Sequence, residues 1–326
     1  MTSVRAKIFL VLTNLVSIAC LIWVLHGADL GNLGKEISQM KLGWVIFAVI
    51  ADILVYVVQG WRWSILLAPV SEIPVIRSVR AIYVGLFANE ILPLRTGEVI
   101  RCYLQSRWGN LPISVTLSSA LIERVFDGIW LVVYLAIILQ FADVPNLVKN
   151  GGYVLMLFVF VLASVLGWLM FYKQQAKDAV SSSRWAKHLH VLMEDLHAIG
   201  NSRSFYFAWL ASLPHLLSMT LPIYGVAQAF GISHLTLLDA AIINVIVRLG
   251  TVIPSAPGNL GAYQFLVVLA MTFLGFDGAL AKRFSIILWS IVTLPLLITG
   301  FVASFNLDPY HYLLWTTANH RLWSSP

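Results

Sequence analysis

The chain has 326 residues, of which 59% are hydrophobic and 11% charged, against roughly 45–50% and about 25% in soluble domains. Mean hydropathy is +0.84, and 21 Lys and Arg stand against 15 Asp and Glu, a formal net charge of +6. These figures exclude a soluble globular enzyme, a disordered chain and a disulfide-stapled secreted module. They predict an all-α integral membrane protein, because so apolar a chain needs lipid as much of its solvent.

The N-terminus carries Arg5 and Lys7 ahead of an 18-residue apolar run, 8–25. The run is too long for a signal-peptide core and lacks a small-x-small exit, so a retained first helix is expected. Further full spans are predicted at 42–59, 117–141, 153–172, 205–230 and 285–305, about six in all, each near the ~20 residues that cross a bilayer. Two regions break this pattern. Residues 81–92 are apolar but short, and end in Asn89-Glu90 before Pro93. Residues 235–276 hold two apolar stretches interrupted by Pro254-Ser-Ala-Pro-Gly-Asn-Leu-Gly261. Both read as re-entrant helical hairpins.

The positive-inside rule places the N-terminus in the cytoplasm. The loop 26–41 is then external, and 60–80 returns inside with Arg62, Arg77 and Arg80. Residues 173–204 form a cytoplasmic loop whose Trp185, Leu189, Leu192 and Leu196 recur at helical spacing, as in a surface-lying amphipathic helix. The C-terminus falls inside, Lys282-Arg283 outside, and the two broken regions enter from opposite faces. Paired interrupted segments in two halves of a chain point to a transport site at the midplane, with an inverted-repeat arrangement inferred from topology alone. No linker divides the chain, so residues 1–326 are expected to form one polytopic domain in the cell (inner) membrane.

Three segments carry polar chemistry. In the first, Pro93 and Gly97 predict a helix break, with Arg95, Glu98 and Arg101 following at intervals of three along one helical face. In the second, Glu123 and Asp127 share a face and flank Arg124 in an otherwise apolar span. Four acids and four bases lie between Glu90 and Asp127, which predicts internal pairing. Against a purely structural role for these pairs stands the adjacent break, and arginine suits a phosphate or carboxylate headgroup. In the third, two prolines and two glycines in eight residues preclude a continuous helix, and a helix starting near Asn259 would present free N–H groups to an anion. Arg248 either adds charge there or snorkels, and Asp52 stands isolated in its span. No basic–aromatic run suggests nucleic acid. The two cysteines, Cys20 and Cys102, show no metal spacing, and neither a metal nor a cofactor is expected. Walker A, Gly-x-Ser-x-Gly and His-Glu-x-x-His signatures are absent, so no enzymatic activity is expected.

These motifs resemble the lysylphosphatidylglycerol-synthase transmembrane (flippase-like) family. Asn89-x-x-Leu92-Pro93-x-Arg95-x-Gly97-Glu98-x-x-Arg101 is similar to its first signature. Glu123-Arg124-x-x-Asp127 is similar to its second, and Ile253-Pro254-x-x-Pro257-Gly258-x-x-Gly261 to its third. One departure is Gln264, where the family commonly places Glu. The resemblance implies a stand-alone member, without the aminoacyl-transfer domain, that moves a polar- or phosphate-headed membrane lipid between leaflets. Arg95, Arg101 and Arg124 would hold the headgroup, with Asn89, Glu98, Glu123 and Asp127 around them. Pro93, Gly97, Pro254, Pro257, Gly258, Gly261 and Gln264 would form the hinges and backbone donors. The alternatives are an enzyme acting on a lipid-linked sugar or headgroup, with Glu98 and Glu123 as its acid/base pair, and a non-transporting accessory subunit. The partners to expect are the lipid itself and, among proteins, a second copy or a lipid-modifying enzyme.

Overall fold

A computed structural model describes residues 2–26, 28, 30–92, 95–141, 146–171, 199–200, 202–251 and 256–305. Pro93, Pro254 and the amphipathic stretch over 173–198 lie outside them. Among the described residues every regular element is helical. The helices are α1 (Thr2–His26), α2 (Leu30–Gln39), α3 (Leu42–Leu67), α4 (Val75–Ile91), α5 (Gly97–Gly109) and α6 (Ile113–Phe141). They continue with α7 (Asn146–Phe171), α8 (Arg203–Ser218), α9 (Thr220–Ala229), α10 (Leu237–Gly250), α11 (Ala262–Phe273) and α12 (Gly278–Phe305). A 3₁₀ turn, Pro257–Asn259, lies between α10 and α11.

Over their described residues, all six predicted apolar segments fall on helices, with one interruption at Met219. Among the described residues, three helical stretches are long and apolar enough to cross a membrane: Leu42–Leu67, Arg203–Ala229 and Gly278–Phe305. The helix α3 turns an apolar side outward and keeps Asp52, Gln59 and Arg62 buried. Leu42, Ile46, Ile50 and Leu54 repeat every four residues on its exposed side, while Ala48, Ala51 and Val55 are buried. The stretch Arg203–Ala229 is divided at Met219 into α8 and α9. The division has a local cause: Pro222 has no N–H to give to the Ser218 carbonyl, and its ring crowds that carbonyl.

The structure departs from the sequence reading in two further places. The span predicted to end at 59 runs on to Leu67, so Arg62 is not a cytoplasmic loop cation but a buried residue inside α3. The predicted external loop 26–41 contains a helix, α2, turned about 80° from α1. Its Glu36 accepts from Arg283 Nε of α12 at 2.8 Å.

The two broken regions are pairs of short helices that fold back on themselves, α4 on α5 and α10 on α11. At 13 residues for α5, 14 for α10 and 12 for α11, three of the four are well short of the ~20 that span a bilayer, and α4 has 17. The start of α10 is fixed by a capping box, in which Thr236 Oγ1 accepts from Asp239 N–H at 3.1 Å and the Asp239 carboxylate accepts from Thr236 N–H at 2.8 Å. The buried core is likewise double. Trp63, Leu66, Ile82, Cys102, Ile122 and Phe126 pack α3 to α6 together. Ile243, Ile246, Val267, Met271, Phe284 and Leu288 pack α10 to α12.

Candidate functional site

The first break is built by close backbone contact. Gly97, the first residue of α5, lies against the Gly85 carbonyl of α4, where any Cβ would overlap it. This approach lets Asn89 Oδ1 accept the Gly97 N–H at 2.9 Å, satisfying a donor that a helix start leaves unpaired. The Asn89 and Gly97 of the first motif thus hold the hairpin together. Arg95 is not on the face of α5 that the three-residue spacing predicted. It precedes the helix, in a left-handed backbone conformation with φ of 53°. That geometry sends its guanidinium across to the second break, where Nη2 donates to the Thr251 carbonyl at 2.5 Å and to Asn259 Oδ1 at 3.3 Å.

Behind this break lies a closed lattice of three guanidiniums and three carboxylates. Arg62, fully buried, donates to Glu123 at 3.0 Å, to Asp127, and to Ser212 Oγ at 2.9 Å. Arg101 donates to Glu98 and to Glu123, each at 2.9 Å, and its guanidinium lies 4.6 Å from the centre of the Trp63 ring. Arg124 pairs with Glu98 and lies 3.9 Å from Asp127. Every member has an opposite charge, as several charges inside a membrane protein require. The structure therefore brings together Arg101, Arg124, Glu98, Glu123 and Asp127 as the sequence suggested. It adds Arg62, which sequence reasoning missed. The uninterrupted run Trp61-Arg-Trp-Ser-Ile-Leu-Leu67 was the signal that the helix continues past it. Glu90 and Arg107, counted among the predicted pairs, are not in the lattice; Arg107 donates to Tyr103 Oη at 3.2 Å.

The second break follows α10. Gly258, Asn259 and Gly261 all have positive φ, of 66°, 49° and 85°. A side chain at Gly258 would strike the Glu90 carboxylate, and one at Gly261 the Ser17 carbonyl of α1. The helix α11 begins at Ala262, not near Asn259. Gln264 is buried, and its Oε1 accepts the Gly261 N–H at 2.7 Å, so this donor at the helix start is engaged. The side-chain amide fills the role of an acceptor without a charge.

The two breaks meet at a cavity of about 300 Å³ lined by residues of both. Asn89, Pro257, Gly258 and the lattice members Arg101, Arg124, Glu98 and Asp127 border it, and the lining residues Leu92 and Arg124 are exposed, marking its mouth. Four further charged groups face it with no opposite charge within ion-pair distance among the described residues: Arg95, Arg248, Asp52 and Glu90. The Arg248 guanidinium touches Met219 Sδ. Asp52 and Glu90 have neither a hydrogen bond nor an ion pair among the described residues. No cluster of His, Cys, Asp and Glu able to hold a metal ion occurs among the described residues.

A sequence model of the lysylphosphatidylglycerol synthase TM region matches residues 10–300 of the chain. A UPF0104 membrane protein of Methanothermobacter thermautotrophicus is 24% identical over 310 residues, covering 88% of this chain and 89% of that relative. A UPF0104 membrane protein of Methanocaldococcus jannaschii is 24% identical over 212 residues, 60% of this chain and 84% of the relative. A second protein of that name from the same organism is 25% identical over 175 residues, 53% and 48% of the two chains.

Proposed function

This chain belongs to the lysylphosphatidylglycerol synthase TM region family, and from that premise we propose that it is a lipid transporter that moves a polar- or phosphate-headed lipid between leaflets of the cell membrane. The observation that carries the reading is the cavity at the meeting point of two helix breaks, faced by the guanidiniums of Arg95 and Arg248 without a carboxylate partner. At about 300 Å³ the space is at the small end of ligand pockets, roughly 300–1,000 Å³. It takes a headgroup and leaves acyl chains in the bilayer.

In this reading Arg95 and Arg248 hold the anionic group, with Arg124 at the mouth. Arg101 and Arg62 position Glu98, Glu123 and Asp127 and do not touch the lipid. Glu98 and Glu123, the acid/base pair that a lipid-modifying enzyme would need, are each bound by two guanidiniums, which favours transport over catalysis. The hairpins enter from opposite leaflets with both termini cytoplasmic. The test is translocation of a fluorescent phospholipid in proteoliposomes, read by quenching of the outer leaflet. Arg95→Ala should slow it roughly tenfold or more at equal folded yield, in line with the loss of a charge-assisted hydrogen bond. A wild-type rate from that variant would remove the cavity from the mechanism.

A further inference from the structure

Asp52 has no function in the reading above, yet its setting is unusual. It lies mid-way along α3, is 7% exposed, and has no hydrogen-bond or ion-pair partner among the described residues. Its carboxylate lines the cavity and is open to it. Buried carboxylates in membrane proteins are paired, or they carry protons along a pathway. Here the first option is not taken: Glu98, Glu123 and Asp127 are paired with arginine, whereas Asp52 and Glu90 are not, and Asp52 is the more deeply buried of these two.

We propose that Asp52 is a proton-binding site that couples lipid movement to the proton gradient, the proton and an anionic headgroup entering the cavity together. This rests on the lipid-transport reading. The physical reason is repulsion. An ionised Asp52 and a phosphate in one small, poorly hydrated chamber oppose each other strongly. Uptake of one proton, turning the carboxylate into a carboxylic acid, removes that opposition. Linkage is reciprocal, so a bound headgroup then favours protonation to the same degree.

Charged and titratable groups from several helices share the cavity with Asp52. On α3 itself Tyr56 lines the same cavity, and Tyr83 of α4 donates to the Ile53 carbonyl at 3.1 Å. The packed helix α4 also brings Glu90, α8 brings His215, and α6 brings Arg124 and Asp127, which pair within the lattice. The helix α9 has no Asp, Glu, Lys or Arg, and Lys282 and Arg283 of α12 are engaged by Trp23 and Glu36. Arg248 of α10, Tyr263 of α11, Arg95 ahead of α5, and Glu98 and Arg101 of α5 line the same cavity. A metal cation would need several convergent oxygen ligands, and no candidate cluster of His, Cys, Asp and Glu exists among the described residues. A proton needs one.

The experiment is calorimetric binding of dihexanoyl-phosphatidylglycerol to the purified full-length chain in detergent. Repeating it in buffers of different ionisation enthalpy counts the protons taken up. The expected result is about one proton per lipid, with affinity falling roughly tenfold per pH unit above the site's titration. Asp52→Asn should bind the lipid with no proton uptake and little pH dependence. Asp52→Glu should restore uptake, and Glu90→Gln should retain it. Equal uptake by Asp52→Asn and wild type overturns the proposal, as does loss of uptake in Glu90→Gln alone. Binding that follows sodium instead of protons also overturns it. Lipid binding without proton uptake defeats the coupling and leaves transport standing. Failure of the wild type to bind the lipid at any pH defeats both.

Discussion

The cavity has two unlike walls. On one, Arg62, Arg101 and Arg124 are matched against Glu98, Glu123 and Asp127. On the other, Arg95, Arg248, Asp52 and Glu90 line the same space without an ion pair among the described residues. Only the first wall matches each charge with an opposite one, although Arg62 Nε and Arg101 Nη2 there have no hydrogen-bond partner. Neutralised charge fixes helices relative to one another. Unsatisfied charge stores an affinity that a ligand can use. The first signature therefore divides between two jobs, with Glu98 and Arg101 in the frame and Arg95 in the chamber.

The strongest way to break this comparison is to remove Arg62. Arg62→Ala takes from Glu123 one of its two guanidiniums and from Asp127 the nearer of its two, beside a buried space that held a cation. Breaking a buried pair from one side costs about 3–5 kcal/mol. The expected outcome is a sharp fall in monodisperse yield and a large drop in melting temperature in detergent. Recovery on adding Glu123→Gln and Asp127→Asn would tie the loss to uncompensated charge. A normal melting temperature for the single variant would show that the lattice is not structural.

That residue also marks where the sequence was readable and where it was not. The pairing of Glu123 and Asp127 on one helical face is a matter of spacing, and the near-balance of charge around them predicted a network. Helical apolar segments and both breaks follow from hydropathy, proline and glycine. Arg62 escaped because a cation beside an apolar run resembles a loop charge under the positive-inside rule, although Trp63, Leu66 and Leu67 beyond it belong to the buried core. The position of Arg95 escaped because a left-handed φ at a non-glycine residue is set by tertiary contacts with Thr251 and Asn259, which lie 156 and 164 residues away. Asp52, Glu90 and Arg248 are far apart in the chain, and nothing local announces that they face one space. The role of Gln264 as acceptor for its own helix start is equally invisible without the turn geometry.

A smaller effect is expected from the open wall, and on a different readout. Arg248→Ala should lower lipid transport roughly 10- to 100-fold, equivalent to about 1.5–3 kcal/mol for a charge-assisted contact. The melting temperature should stay near that of the wild type, since no carboxylate is left stranded. A variant that unfolds but transports normally per folded molecule would reverse the assignment of the two walls.

The seam between α4 and α5 sharpens the same division. Gly97→Ala places a methyl group on the Gly85 carbonyl, so the hairpin must part and the Asn89 bond to the residue 97 N–H must lengthen. Overpacking of this kind costs about 1–3 kcal/mol. Because Arg95 hangs from the same turn, transport should fall together with stability. Gly85→Ala, which meets the Gly97 carbonyl at 2.7 Å from the other side, should do the same. If either variant loses transport at full stability, the glycine contact serves motion more than packing.

The smallest effect belongs to an ion pair that does not line the cavity. Arg283 of α12 holds Glu36 of α2 through Nε at 2.8 and 2.9 Å, with side-chain exposures of 13% and 25%. Its geometry is as good as that of the lattice, so distance alone predicts a similar contribution. Exposure predicts otherwise. Water and salt screen a partly exposed pair, and such pairs contribute about 0.2–1 kcal/mol. Glu36→Ala and Arg283→Ala should therefore lower the melting temperature only slightly, and the coupling in the double variant should shrink in high salt. Arg62→Ala should be insensitive to salt, because screening ions do not reach a fully buried guanidinium. A coupling between Glu36 and Arg283 as large and as salt-independent as that of Arg62 would mean that α2 is clamped into the protein interior, and burial would then no longer separate the frame of the molecule from its periphery.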